Sequence, residues 1–206
     1  MATELEAVAA EAAGCTRCRL HQSRTQVVFG QGDPHADLMV VGEAPGFHED
    51  RQGLPFVGPS GQLLNRLLEG IGLRRQEVYI CNVVKSRPPG NRDPLPDEIA
   101  ACRPWLDAQV RLVDPRVVVT LGNFAAKTLL ETTTGITRLR GRTYPFQGRV
   151  LLPTFHPAAA LHARGRGTAG PSPLEAMEDD FRVLAELLAA QAPASDGRPS
   201  GQLGLF

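Results

Sequence analysis

Residues 38–46 read Leu-Met-Val-Val-Gly-Glu-Ala-Pro-Gly, and this stretch decides the fold. Four successive apolar residues without polar alternation make a strand buried on both faces, as in a parallel sheet covered by helices on either side. Gly42 stops the run, and a Gly/Pro turn follows at the carboxyl end of the strand. The same signature recurs further along the chain, at 78–84, at 117–121 and at 150–155. Helical periodicity lies between these runs. Leu63, Leu64, Leu67, Leu68 and Ile71 share one side of a helix capped by Ser60, and further helices are expected at 96–113, 123–131 and 174–190. A helix at 2–14 ending at Gly14 and a short strand at 26–29 come first. Residues 42–58 and 163–173 read as irregular, and a hairpin-like segment follows residue 131. Strands alternating with helices predict a three-layer α/β/α domain with a central, mainly parallel four-stranded sheet. Residues 1–190 read as one domain and 191–206 as a flexible tail.

The chain has 206 residues, enough for one domain with a proper core. A hydrophobic share of 42% and a charged share of 21% argue against wholesale disorder. The 22 basic residues balance 22 acidic ones, so a nucleic acid or a membrane would have to be met by a local patch. No run approaches the roughly 18 apolar residues of a membrane span. The N-terminus is acidic and lacks the positive head of a secretory signal, which points to the cytoplasm. There Cys15, Cys18, Cys81 and Cys102 stay reduced, favouring metal ligation or buried thiols over disulfides.

Ligands of such sheets bind beyond the carboxyl ends of the strands. Gly42 to Gly46, Asn82 to Arg87 and His156-Pro157 all follow strands and converge on one rim. Each reads blandly alone: a tight turn, an Asn satisfying backbone groups, a His-Pro turn, and Phe56 as a core residue. Their order and combination change the weighing. Gly-Glu-Ala-Pro-Gly-x-x-Glu-Asp (42–50) is followed by Pro-Phe-Val-Gly (55–58), Asn-x-Val-Lys (82–85) and Arg-Pro-Pro-x-Asn-Arg (87–92). Leu-Pro-Asp-Glu (95–98) and His-Pro-Ala (156–158) complete the series. From Cys15 to about residue 190 the chain resembles the uracil-DNA glycosylase superfamily, and most of all its iron–sulfur branch, family 4.

That resemblance implies a monofunctional enzyme that flips uracil out of DNA and hydrolyses the N-glycosidic bond, starting base-excision repair. Uracil leaves well only as an anion while the sugar becomes oxocarbenium-like, so donors must sit where negative charge develops. The target base must also be flipped into a pocket and read by its Watson–Crick edge. Asn82 would pair with uracil O4 and N3, because an amide offers both acceptor and donors. His156 would donate towards O2, Phe56 would stack on the base, and Gly42 would let the backbone approach it. Glu43 is the first candidate for the carboxylate that stabilises the sugar cation and orients water, with Asp50 second and Glu49 third. The best-known uracil glycosylases carry Asp where this chain has Ala44, and a thymine-blocking Tyr where it has Gly46; family 4 shares both departures. Gly46 leaves room near uracil C5 that Phe47 or His48 would fill.

No lysine stands out as a Schiff-base nucleophile, so the product should be an abasic site. The alternative is a tight or covalent uracil-DNA-binding protein of the same superfamily with little turnover. Those relatives use a His in an inserted Arg-rich loop, and the loop after Lys85 has neither.

The resemblance also implies a [4Fe–4S] cluster held by four cysteines. Cys15, Cys18 and Cys102 match three positions, but the fourth is Ser86. Cys81 lies in a strand about 16 Å along the chain from position 86, at the rise of extended backbone, and reads as a buried, inert thiol. Ligation through the Ser86 oxygen, a cluster on three thiolates, a zinc site and no metal at all are the alternatives.

Arg74, Arg75, Lys85, Arg87 and Arg92 come from segments near the rim, and Arg138, Arg140, Arg142, Arg164 and Arg166 form two further clusters suited to phosphates. Residues 156–167 resemble the loop that enters the minor groove, with Leu161 as the wedge that fills the vacated stack. The chain ends in Gln202-Leu203-Gly204-Leu205-Phe206, which resembles the bacterial sliding-clamp-binding pentapeptide on a tether formed by 191–201. The enzyme is expected to act as a monomer.

Overall fold

A computed structural model describes residues 3–163 and 171–190. Arg164, Arg166 and the clamp-like peptide at 202–206 lie outside the described residues. The core is a sheet in the order β1-β3-β2-β4-β6-β5. Its centre holds the four apolar runs as β2 (Leu38–Gly42), β3 (Tyr79–Asn82), β4 (Val117–Leu121) and β6 (Arg149–Thr154), all mutually parallel. Every residue of β2, β3 and β4 is buried, as unalternating apolar runs require.

The sheet is nonetheless six-stranded and mixed, not four-stranded. β1 (Gln31–Gly32) pairs antiparallel with β3, and β5 (Tyr144–Phe146) pairs antiparallel with β6. Neither has an apolar run long enough to announce a strand. The strand expected at 26–29 does not form; that segment is irregular, and the Val28 amide donates to the Lys85 carbonyl.

Helices cover both faces. On one, α1 (Glu4–Ala13), α4 (Pro96–Val113) and α5 (Gly122–Leu130) bury Ala12, Trp105, Leu106, Val110 and Leu129 against Met39, Val41 and Val118. On the other, α3 (Pro59–Gly70) and α8 (Pro173–Ala190) bury Leu64, Leu68, Met177, Phe181 and Leu184 against Val40, Ile80 and Val119. The three layers therefore match the expected architecture. No helix among the described residues is long and apolar enough to cross a membrane.

Local departures follow from capping chemistry. α2 (Phe47–Gln52) occupies the segment read as irregular; the Glu49 carboxylate reaches back to the Gly46 amide, and Gly53 ends the helix at φ 72°. α3 starts at Pro59 with Gly58 at the cap, two residues ahead of the Ser60 cap expected from sequence. α6 (Ile136–Leu139) breaks up the hairpin-like segment. α7 (Pro157–His162) follows directly from His156, whose own ring caps it.

Candidate active site

The parallel register sets Gly42 of β2 beside Asn82 of β3. The turn after Gly42 is tied to the segment after Asn82, because Val83 and Val84 donate to the Gly42 and Glu43 carbonyls. β6 delivers His156 to the same rim. A cavity of about 550 Å³ opens there, lined by Glu43, Gly46, Phe56, Asn82, His156 and Arg92 among others. The predicted catalytic residues therefore converge.

Asn82 is 1% exposed, and its Oδ1 has no hydrogen-bond partner among the described residues. A buried acceptor left unpaired costs about 1–3 kcal/mol, so its retention points to a ligand that supplies the missing donor. A Cβ on Gly42 would stand 2.4 Å from that oxygen and 2.4 Å from Phe56 Cζ. Only glycine allows the two side chains to meet across the strand end.

Phe56 sits at φ 51°, a left-handed conformation uncommon for a bulky residue. Its turn is held from two sides. Arg75 donates to the Pro55 carbonyl and, at 3.1 Å, to that of Phe56. Glu49 Oε1 accepts the Val57 and Gly58 amides at 2.9 Å each, while Oε2 takes the Gly46 amide. The first turn of α3 closes beneath, where a Cβ on Gly61 would fall 1.8 Å from the Phe56 carbonyl oxygen. Sequence reasoning gave Glu49 a lesser catalytic role, counted Arg75 among phosphate contacts and missed Gly61. These are the residues that shape the aromatic wall.

The three candidate carboxylates separate clearly. Asp50 is buried away from the cavity, with both oxygens accepting the Thr25 amide. Glu49 spends its oxygens on three amides. Glu43 lines the cavity, and burial, with a smaller push from the Asp93 charge, raises its carboxyl pKa to about 7.

His156 is fixed in one tautomer. Its Nδ1 accepts the Ala158 amide at 3.2 Å, so in the neutral ring the proton sits on Nε2. Burial lowers its pKa to about 4, slightly opposed by the Glu49 charge, which keeps it neutral at physiological pH. Gly122, at φ 87°, allows the close approach, since a Cβ there would lie 3.0 Å from His156 Cβ.

Behind the rim Lys85 is fully buried. Its ammonium donates to the Asn82 carbonyl and to Gln109 Oε1, and Gln109 donates in turn to the Phe29 carbonyl and the Tyr79 hydroxyl. Burial lowers the Lys85 pKa, against the pull of the Cys81 and Cys102 thiols. Lys85 is therefore not a phosphate contact. Cys81 is buried beside it, and burial pushes its thiol pKa up.

The other three cysteines gather elsewhere. Cys102 feels the charges of Cys18 and Cys15, and burial raises its thiol pKa. The Lys85 amide donates to Cys102 Sγ at 3.4 Å and Trp105 Nε1 to Cys15 Sγ at 3.3 Å, contacts suited to sulfur carrying negative charge. Ser86 Oγ accepts from Arg24 at 3.2 Å. Among the described residues, no three His, Cys, Asp or Glu side chains stand close enough to hold a single metal ion.

Of the residues expected to touch DNA, Arg87 is partly exposed, donates to Asn91 Oδ1 and lies 5.1 Å from the Phe47 ring centroid. Phe47 and His48 line the cavity beside Gly46, with Phe47 46% exposed. Arg92 forks onto the buried Glu98 carboxylate. Leu161 packs on the α3 and α8 cluster and lines a separate apolar groove. Arg140 is also turned inward, onto Asp180.

Comparison with known proteins agrees with this geometry. A sequence profile described as the uracil DNA glycosylase superfamily matches residues 29–182. A type-4 uracil-DNA glycosylase from Sulfurisphaera tokodaii is 43% identical over 192 residues, covering 89% of this chain and 84% of its own. One from Archaeoglobus fulgidus is 41% identical over 198 residues, covering 92% and 96%. One from Thermotoga maritima is 45% identical over 162 residues, covering 78% and 84%. With a profile match across most of its length and relatives of this similarity, the chain belongs to the uracil DNA glycosylase superfamily.

Proposed function

We propose that the chain is a monofunctional uracil-DNA glycosylase of the type-4 kind, which excises uracil and leaves an abasic site. The unpartnered Asn82 Oδ1 carries the reading. A uracil N3–H supplies the donor this oxygen lacks, whereas cytosine has no hydrogen at N3. In the flipped state the Asn82 amide NH₂ donates to O4, Phe56 covers the ring face and His156 Nε2–H donates to O2. The C1′–N1 bond breaks with its electron pair leaving on uracil, where these donors meet the growing charge. Water adds to C1′ of the cationic sugar and gives its proton to the Glu43 carboxylate. A labelled oligonucleotide with one uracil tests this. Alkali-dependent cleavage, lost in Glu43→Gln, is expected; an adduct surviving denaturant on an unheated gel would mark a trapping protein instead.

Glu43 must be ionised to stabilise the cation, and with a pKa near 7 it is largely protonated in mild acid. The single-turnover rate should therefore rise about tenfold per pH unit below 7 and level off above it. His156, neutral down to about pH 4, adds no step in that window. An acid limb that persists unchanged in Glu43→Gln would assign it to another group.

Cys15, Cys18 and Cys102, with Ser86 at the fourth position, are the residues that would hold a [4Fe–4S] cluster. The two N–H···S contacts support thiolate ligands at Cys102 and Cys15. The Ser86 hydroxyl, engaged by Arg24, is a poor replacement for a fourth. When bound, the cluster would supply a cross-link between the N-terminal segment, the end of β3 and α4, and no step of the excision. Ser86→Cys should raise iron per chain and the melting temperature together, read by iron analysis of anaerobically prepared protein. Absence of iron from both proteins would remove the cluster from the reading.

We further propose that residues 1–190 act as one catalytic domain, monomeric and cytoplasmic. Arg87 and the 156–167 segment would meet the DNA, with Leu161 as its wedge, and the 202–206 peptide would bind a sliding clamp.

A further inference from the structure

Arg75 opens a short 3-10 turn (Arg75–Glu77) ahead of β3, and its sequence places it with the phosphate-seeking arginines. Its surroundings say otherwise. Nη1 donates to the Phe56 carbonyl at 3.1 Å and to Asn65 Oδ1 at 3.3 Å, while Nη2 donates to Gln31 Oε1 at 3.3 Å and to the Pro55 carbonyl. Both terminal nitrogens are engaged with protein acceptors. A bidentate grip on a phosphate would have to break at least one of these bonds.

We propose that Arg75 is a positioning residue for base excision, holding the Pro55–Phe56 turn in the left-handed conformation that presents the Phe56 ring to the cavity. The inference rests on the reading of Phe56 as the base-stacking platform. Two successive carbonyls alternate in direction along an extended chain and can reach one cation only where the backbone turns between them. At Phe56 it turns, at φ 51°. A residue in this conformation carries a backbone cost and persists where its surroundings over-determine it. Here the over-determination is electrostatic and two-sided. The Arg75 guanidinium gathers the carbonyls of residues 55 and 56, and the Glu49 carboxylate gathers the amides of residues 57 and 58. Burial depresses the Arg75 pKa and the Glu49 charge opposes that shift, as expected of opposite charges on either side of one loop.

The ring direction depends on this turn. Phe56 Cζ and Asn82 Oδ1 each lie 2.4 Å from where a Gly42 Cβ would stand, so there is little room for the ring to move without disturbing Asn82. Without Arg75 the two carbonyls lose their shared donor, the turn relaxes, and the ring no longer meets the base squarely.

A double-mutant cycle tests the assignment. Wild type, Arg75→Met, Phe56→Ala and the double variant are compared in single-turnover excision and in the salt dependence of binding to uracil-free duplex, each well below its own melting temperature. Arg75→Met should slow excision by up to about 10²-fold, the scale of a misplaced contact, while leaving the salt slope unchanged. The double variant should be no slower than Phe56→Ala alone. Additive slowing, or a salt slope shallower by about one charge, would overturn the assignment and leave Arg75 a scaffold residue or a phosphate contact. Phe56→Ala as fast as wild type would remove the platform, and the positioning role with it, without touching the assignment of Asn82. Should Arg75→Met fail to fold, Arg75→Gln keeps one donor group for the carbonyls and takes its place in the cycle under the same criteria.

Discussion

Asn82→Ala should lower single-turnover excision of uracil by about 10²–10³-fold, the usual loss when one preorganised donor to a developing anion is removed. The effect should be large because Asn82 is rigid before the base arrives. Its peptide carbonyl is held by Lys85, and its side chain is confined by Gly42 and Phe56. It therefore meets the growing charge without rearranging. Asn82→Asp keeps the size and shape but offers only acceptors when ionised, so it should fall about as far as the alanine variant. Binding of uracil-free duplex should change little in either, since that affinity comes from phosphates. An alanine variant retaining more than a tenth of the wild-type rate would mean that Asn82 merely shapes the cavity.

The second large effect concerns stability. Asp180 is 2% exposed and joins α8 to the end of β6. Its Oδ2 accepts the Thr154 hydroxyl and Arg140 Nε, and its Oδ1 accepts Arg140 Nη2 at 2.8 Å. Removing one partner of a buried pair strands the other, at about 3–5 kcal/mol. Arg140 retains some contact with water, so Asp180→Ala should cost about 3 kcal/mol, or a fall of roughly 10 °C in melting temperature. Asp180→Asn should cost much less. Burial pushes the Asp180 carboxyl pKa above its ordinary value despite Thr154 and Arg140, so holding the charge there carries a desolvation cost that a neutral amide avoids. Urea titration of the two variants checks this, and equal losses would show that charge rather than hydrogen bonding carries the contact.

Sequence reading went furthest where one physical rule governs many residues. The four central strands were legible because burial on both faces forbids polar alternation, and α4 was found at 96–113 because eighteen residues of helical periodicity leave little choice. The convergence of Glu43, Asn82 and His156 also followed, since parallel strands deliver their carboxyl ends to one rim. The edge strands escaped because two or three residues carry no period. Helices α2 and α7 escaped for a related reason: each spans six residues and starts from a cap made by Glu49 or by the His156 ring. Charge was the least legible property. Lys85, Arg75 and Arg140 read as surface cations, yet each turns inward to carbonyls or a carboxylate. Composition cannot tell an arginine facing solvent from one gathering backbone oxygens.

The two outer strands also bear on how the protein behaves when crowded. An exposed strand edge is a template on which another chain can pair and begin to aggregate. Here the sheet ends on one side in the two residues Gln31 and Gly32, and on the other in three residues with Pro145 at their centre. Proline offers no amide, and Gly32 at φ 129° turns the chain away at once. The parallel strands that build the base pocket are thus closed off by borders too short and too interrupted to recruit a neighbour. Among the described residues, edge-to-edge pairing between copies is hindered at both margins.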